Sequence, residues 1–168
     1  MRMIEFIPEG ASDCHVAAWL HMDSRAGLTN RKRPAIIICP GGGYGGLSDR
    51  EAEPVAKVYF AAGYHTFILR YSVMEQAKDF KPLIQLASAM VHIRKKADDW
   101  AVDAGRIAVC GFSAGGHLAA SLGTLFNEQP FLERFGREEH IRPDAMVLGY
   151  PVIASDEYSL LLGREQPQ

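Results

Sequence analysis

Apolar residues in this chain fall into two kinds of run. Continuous ones, at 34–39, 65–71, 107–110 and 144–150, read as core strands, the first of them buried on both faces. An alternating one, from Cys14 to Met22, puts Val16, Ala18 and Leu20 on one face and His15, Ala17, Trp19 and His21 on the other. Met3 to Ile7 reads as a short strand before it. Between strands, apolar residues recur at three- and four-residue steps and predict helices. One carries Val55, Val58, Tyr59 and Ala62 and is closed by Gly63. The longest, Pro82 to Trp100, carries Leu83, Leu86, Ala87, Met90, Val91, Arg94, Ala97 and Trp100. A third, small and apolar, runs from Gly116 to Leu125. The charged stretch 127–142 holds a short helix around Phe131–Phe135. Polar turns are expected at 23–33, 72–81 and 103–106. The basic cluster Arg31–Arg33 reads as a solvated loop. Ser48 and Glu51 have capping-box spacing, but Pro54 follows. That combination predicts an irregular first turn and a regular helix from Glu53–Pro54. After the last strand come Leu160–Leu162 and a polar end. Strands alternating with helices predict an α/β domain with a mostly parallel sheet.

Two turns in this pattern carry chemistry. Ile107–Cys110 is a strand, Gly116–Leu125 a helix, and between them lies Gly111-Phe112-Ser113-Ala114-Gly115. Strand, Gly-x-Ser-x-Gly, helix is a nucleophile elbow. The tight turn lifts a serine clear of the sheet, and the glycines remove side chains that would clash. The helix behind it aims backbone N–H groups and partial positive charge at an oxyanion. Ser113 is therefore the candidate nucleophile. The second turn, Pro40-Gly41-Gly42-Gly43-Tyr44-Gly45-Gly46, has five glycines in seven residues directly after a buried strand. Such a loop is costly in chain entropy unless its backbone is used. It lacks the Gly-Lys-Ser/Thr ending of a P-loop and the spacing of a dinucleotide fingerprint. An oxyanion-hole loop fits better.

Composition narrows the partners. The 168 residues are 48% hydrophobic and 23% charged, ordinary for one globular domain spanning 1–168. A formal net charge of −2 offers no footprint for nucleic acid or anionic membrane. Cys14, Cys39 and Cys110 are scattered and odd in number, and read as small buried hydrophobes rather than a disulfide or metal set. No metal and no cofactor is expected. The first residues, with Glu5, do not read as a signal peptide, so none is expected, and no apolar run reaches membrane-spanning length. A cytoplasmic location is the expectation.

With both glycine turns in place, the chain resembles the α/β-hydrolase superfamily. It is most similar to the esterase branch with hormone-sensitive-lipase-like, feruloyl-esterase-like and acetyl-xylan-esterase-like enzymes. Pro40-Gly41-Gly42-Gly43-Tyr44 looks like that branch's His-Gly-Gly-Gly motif, with Pro40 where His usually stands. Gly111 to Leu118 looks like its elbow. The likeness runs from about Ala17 to Ile153. The resemblance implies an α/β-hydrolase fold and a serine carboxylic-ester hydrolase, an acetyl, short-acyl or sugar-ester esterase working through an acyl-enzyme. It implies Ser113 as nucleophile and the N–H groups of Gly42, Gly43 and Ala114 as the oxyanion hole. Tyr44 either lines the substrate pocket or packs beside the glycine loop.

The chain order in that fold is Ser, then Asp or Glu, then His. After Ser113 the histidines are His117 and His140. His117 stands one turn into the elbow helix and reads as structural. His140 precedes the last strand, and Asp144 opens that strand at the wrong sheet end. Asp156 and Glu157 follow the strand, but no histidine comes after them. His15, His21, His65 and His92 read as structural. The expectation is a partial domain with the second half of the sheet missing, and a triad Asp and His beyond Gln168. The strand at 144–150 is then an unprotected edge open to self-association. The alternative is a non-catalytic remnant or binding protein of the same fold.

Overall fold

The computed structural model describes residues 1–22 and 31–153. Most of the polar turn at 23–33, and with it Asp156, Glu157 and Leu160–Leu162, lies outside the described residues. Within them, strands β1 (Arg2–Phe6), β2 (His15–Leu20), β3 (Arg33–Cys39), β4 (His65–Arg70), β5 (Val102–Phe112) and β6 (Ala145–Gly149) form one sheet. Its order is β1-β2-β4-β3-β5-β6. β4, β3, β5 and β6 run parallel, while β1 and β2 are antiparallel to their neighbours. The mostly parallel sheet read from the sequence is present.

β3 is central, and its apolar run explains its place. Ile37 and Cys39 pack into one core, Ile36 and Ile38 into the other. Each fully buried isoleucine contributes about 1.5–3 kcal/mol relative to exposure. Helix α2 (Lys81–Lys95) and helix α3 (Ala114–Leu125) bury Leu86, Met90, Ile93, Leu118 and Leu122 in the first core. Helix α1 (Glu53–Ala61) covers the second core. Two short helices, α4 (Gln129–Phe135) and α5 (Glu138–Ile141), precede β6. Only the first of these was legible as helix.

Four expectations need correction. α1 does not bury the stripe 55, 58, 59 and 62. Val58 is 68% exposed, and the buried positions are Ala52 and Ala56. Small side chains let the helix sit close to the sheet, with Val55 and Tyr59 at its flank. Ser48 makes no side-chain cap; a 3-10 turn at Asp49–Glu51 supplies the irregular entry instead. β5 starts at Val102, not after a turn at 103–106, because Val102 pairs with Arg33 and a register shift between Arg33 and Ala35 absorbs the polar residues. Asp103 closes that irregularity, accepting from Gly105 N–H and Arg106 Nε at 3.1 and 2.7 Å. Finally, β6 is not a core strand. Among the described residues it is the sheet edge, and Met146, Val147 and Leu148 remain 42%, 43% and 37% exposed.

Candidate active site

β5 delivers Ser113 to the carboxyl end of the parallel strands, where α3 begins. Ser113 has φ 51° and ψ −118°, a backbone conformation that L residues adopt only under constraint. The constraint is close backbone packing. A Cβ on Gly111 would lie 2.0 Å from the Gly115 carbonyl oxygen. One on Gly115 would lie 2.0 Å from the Cys39 carbonyl oxygen, at the end of β3. The elbow is also tied to β6: Ser113 N–H donates to the Gly149 carbonyl at 3.0 Å. Ser113 Oγ makes no hydrogen bond among the described residues, and its side chain does not cap α3.

The glycine loop lies against the elbow. A Cβ on Gly41 would meet Ser113 Cβ at 3.0 Å and the Phe112 carbonyl at 2.7 Å. Gly42, Gly43 and Tyr44 have φ 133°, 62° and 57°. Gly45 N–H donates to the Gly42 carbonyl at 3.0 Å and Ser48 N–H to the Gly41 carbonyl at 2.9 Å, so the loop is a defined turn. Among the described residues, the N–H groups of Gly42, Gly43 and Ala114 have no protein acceptor. Gly41 N–H, by contrast, is taken: it donates to Glu51 Oε2 at 2.8 Å. The buried Tyr71 hydroxyl donates to the Pro40 carbonyl. Sequence reading missed both anchors. Glu51 looked like a capping residue, and Tyr71 like the end of a strand.

Tyr44 packs beside the glycine loop and also faces a cavity. Its ring packs edge-on against Tyr71, with centroids 6.0 Å apart, and it also lines a cavity of about 630 Å³. Burial pushes its phenol up to about 12, so it is neutral. Its hydroxyl lies 2.8 Å from His117 Nδ1. His117 is therefore not a core histidine but an exposed one at the cavity wall. The rest of that wall is largely apolar: Met74, Phe80, Leu83, Leu118 and Leu125. Backbone constraint recurs here, since Met74, Asp79 and Phe80 all have φ near that of Tyr44, at 55°, 56° and 57°.

The other titratable candidates lie elsewhere. Asp144 accepts Ile107 N–H at 2.8 Å and an Arg94 guanidinium N–H at 3.2 Å. Ile107 is separated from Ser113 by about 20 Å of extended strand. Asp144 thus sits at the wrong sheet end for a triad acid, and His140 lies in α5 just before it. His65 is fully buried. Its Nδ1 accepts the His21 N–H at 3.0 Å and its Nε2 lies 3.2 Å from the Ala101 carbonyl, which places the proton on Nε2. His21 stacks on Phe60 and His92 on Phe6, and burial lowers both below the usual imidazole range. His15 is exposed at the start of β2. The three cysteines are buried and free, and burial pushes the Cys110 thiol up to about 11. Among the described residues no group of three or more His, Cys, Asp or Glu gathers as a metal set, and no helix is long and apolar enough to cross a membrane.

Comparison with known proteins converges on one kind of relative. The family model described as BD-FAE matches residues 25–153. The chain is 31% identical over 145 residues to endo-1,4-beta-xylanase B of Butyrivibrio fibrisolvens, covering 84% of this chain and 22% of that protein. It is 29% identical over 124 residues to the acetylxylan esterase of Xylanibacter ruminicola, covering 73% and 23%. Among solved structures, MGS-M1, an alpha/beta hydrolase enzyme from a Medee basin deep-sea metagenome library, superposes with a TM-score of 0.79 at 37% identity, covering 100% of this chain and 62% of that one. An acetyl ester-xyloside bifunctional hydrolase from Caldicellulosiruptor lactoaceticus superposes with a TM-score of 0.71 at 33% identity, covering 92% and 57%. The chain thus spans under a quarter of the length of these curated relatives and about three fifths of the length of these structural ones.

Proposed function

This chain belongs to the BD-FAE family, and from that premise we propose that it provides the nucleophile and oxyanion hole of a serine carboxylic-ester hydrolase. The fold is that of an α/β hydrolase. One observation carries the proposal: Ser113, held at φ 51° and ψ −118° at the head of α3, faces a glycine loop close enough that a single methyl group on Gly41 would touch its Cβ.

In this reading Ser113 Oγ attacks the ester carbonyl carbon, and the carbonyl π electrons move onto oxygen. The N–H groups of Gly42, Gly43 and Ala114 hold that oxyanion. Each such donor typically stabilises the transition state by about 3–4 kcal/mol. Collapse expels the alcohol, which leaves with the proton that Ser113 gave up, and water then hydrolyses the acyl-enzyme. Gly41 N–H is excluded from the oxyanion hole because Glu51 already holds it. Among the described residues no imidazole hydrogen-bonds Ser113, and this reading assigns no general base. Acetyl or short-acyl esters of sugars are the proposed substrates. Support comes from relatives whose names are acetylxylan esterase and acetyl ester-xyloside hydrolase. The cavity at Tyr44 and His117 offers an apolar wall with a polar rim, suited to one end of such an ester. Self-association through the exposed β6 edge belongs to the same proposal.

A second reading, a non-catalytic binding protein, is favoured by the unpartnered Ser113 Oγ. Hydrolysis of p-nitrophenyl acetate beside Ser113→Ala separates the two. The expected result is a loss of roughly 10³-fold or more in kcat/KM for the variant, together with fluorophosphonate labelling of Ser113 in the parent chain. Equal rates and no labelling would leave only the binding protein.

A further inference from the structure

We propose that Glu51 is a positioning residue that fixes the glycine loop against Ser113, and that it does so by a clamp on the loop and on the turn after β6 at once. The proposal rests on the reading of Ser113 given above.

The argument starts from where the carboxylate goes. Glu51 lies in the 3-10 turn that enters α1, a place where an acidic side chain ordinarily faces water or the helix's own N–H groups. Instead it reaches back across the loop. Oε2 accepts Gly41 N–H at 2.8 Å, and Oε1 accepts the hydroxyl of Tyr150. Tyr150 follows β6 with φ 36°, and its ring packs against Phe112 with centroids 5.9 Å apart. Its neighbour Gly149 is the residue whose carbonyl takes the N–H of Ser113. One carboxylate therefore joins the loop, the start of α1 and the turn that pins the elbow. Charge-assisted bonds of this kind are about twice as strong as neutral ones.

The location makes the clamp functional rather than merely stabilising. An ideal Cβ at Gly41 would sit 2.7 Å from Glu51 Oε2 and 3.0 Å from Ser113 Cβ, so the carboxylate and the serine flank the same methyl-sized gap. Glu51 fills Gly41 N–H and leaves the next two N–H groups, of Gly42 and Gly43, without a protein acceptor. With both oxygens engaged, Glu51 acts as a strut, not as a base for Ser113. Misplacing a reacting geometry by an ångström can cost about 10²-fold in rate, which sets the expected scale.

The test compares Glu51→Ala and Glu51→Gln with the parent chain by amide hydrogen exchange and by ester hydrolysis. The informative amides are Gly45, Ser48 and Ser113, which do not bond Glu51 themselves. In Glu51→Ala they are expected to exchange faster, and kcat to fall roughly 10–100-fold with KM within about threefold. Glu51→Gln keeps an acceptor for Gly41 N–H and is expected to recover most of both. Unchanged exchange at those amides would overturn the clamp whatever the rates do. So would a fall in KM affinity with kcat intact. Should Glu51→Ala not fold, Tyr150→Phe, which removes one anchor at an exposed residue, decides the matter: faster exchange at Ser48 and Ser113 supports the clamp, and unchanged exchange refutes it. If the parent chain shows no Ser113-dependent turnover, the ester-hydrolase reading fails alone, and exchange still judges Glu51.

Discussion

The two glycine turns at the carboxyl end of the sheet are built on opposite principles. In the elbow, the space a side chain would need is filled by backbone: the Gly115 carbonyl under Gly111, the Cys39 carbonyl under Gly115, Pro151 beside Gly116. In the second half of the loop at 41–46 that space is open. A Cβ on Gly45 would meet nothing nearer than 3.8 Å, and one on Gly46 nothing within 4 Å. The loop is held instead by side chains from elsewhere in the chain, Glu51 and Tyr71. One turn is a close-packed joint, the other a tethered strap. A joint tolerates no added atom, whereas the strap tolerates one at Gly45 and Gly46, though not at Gly41 or Gly42, where a Cβ would lie 2.7 and 2.2 Å from backbone oxygens, and does not tolerate the loss of a tether.

That contrast is open to direct attack. Gly115→Ala should have the largest effect, about 3 kcal/mol lost from the free energy of unfolding, since neither β3 nor the elbow can move aside without breaking the sheet. Urea denaturation measures it, and a loss under about 1 kcal/mol would mean the joint is softer than its geometry. Tyr71→Phe removes one tether and leaves the buried Pro40 carbonyl without its donor; a loss of about 1–2 kcal/mol is expected in the same assay. The smallest effect belongs to Gly46→Ala. With open space and no positive φ, this change should be neutral or stabilise by about 0.5 kcal/mol through the unfolded chain. If Gly46→Ala were as damaging as Gly115→Ala, the distinction between joint and strap would collapse.

The same distinction explains what could be read from the sequence. The elbow was legible because its cause is local: strand, Gly-x-Ser-x-Gly and helix lie within Ile107–Leu125, and the backbone requirement appears as glycine spacing. The buried strands β3 and β4 were legible for a similar reason, each being one continuous apolar run. The loop was legible as a motif, but not its fastening. Nothing local to Glu51 says that it will turn back to Gly41, and a capping-box spacing pointed the other way. Gln85 makes the same point: it is buried in α2 and holds Ser72 N–H at 2.8 Å, though its helix position gives no sign of it. α1 misled because two stripes of helical period overlap in it: the alanine stripe packs closest, Val55 and Tyr59 sit at its flank, and Val58 faces out. β6 was read two ways: its apolar run marked a core strand, while the expected loss of later strands marked an edge, and among the described residues it is the edge.

The bond from Ser113 N–H to the Gly149 carbonyl has a temporal consequence. The elbow serine leaves the ribosome well before the residue that fixes its backbone. Through that interval the strand and helix on either side can already associate with β3, but the serine between them lacks its bonds to Gly149 and Val152. The Ser113 backbone thus gains its hydrogen bond to Gly149 only after residue 149 has been made, later than the strand and helix that flank it.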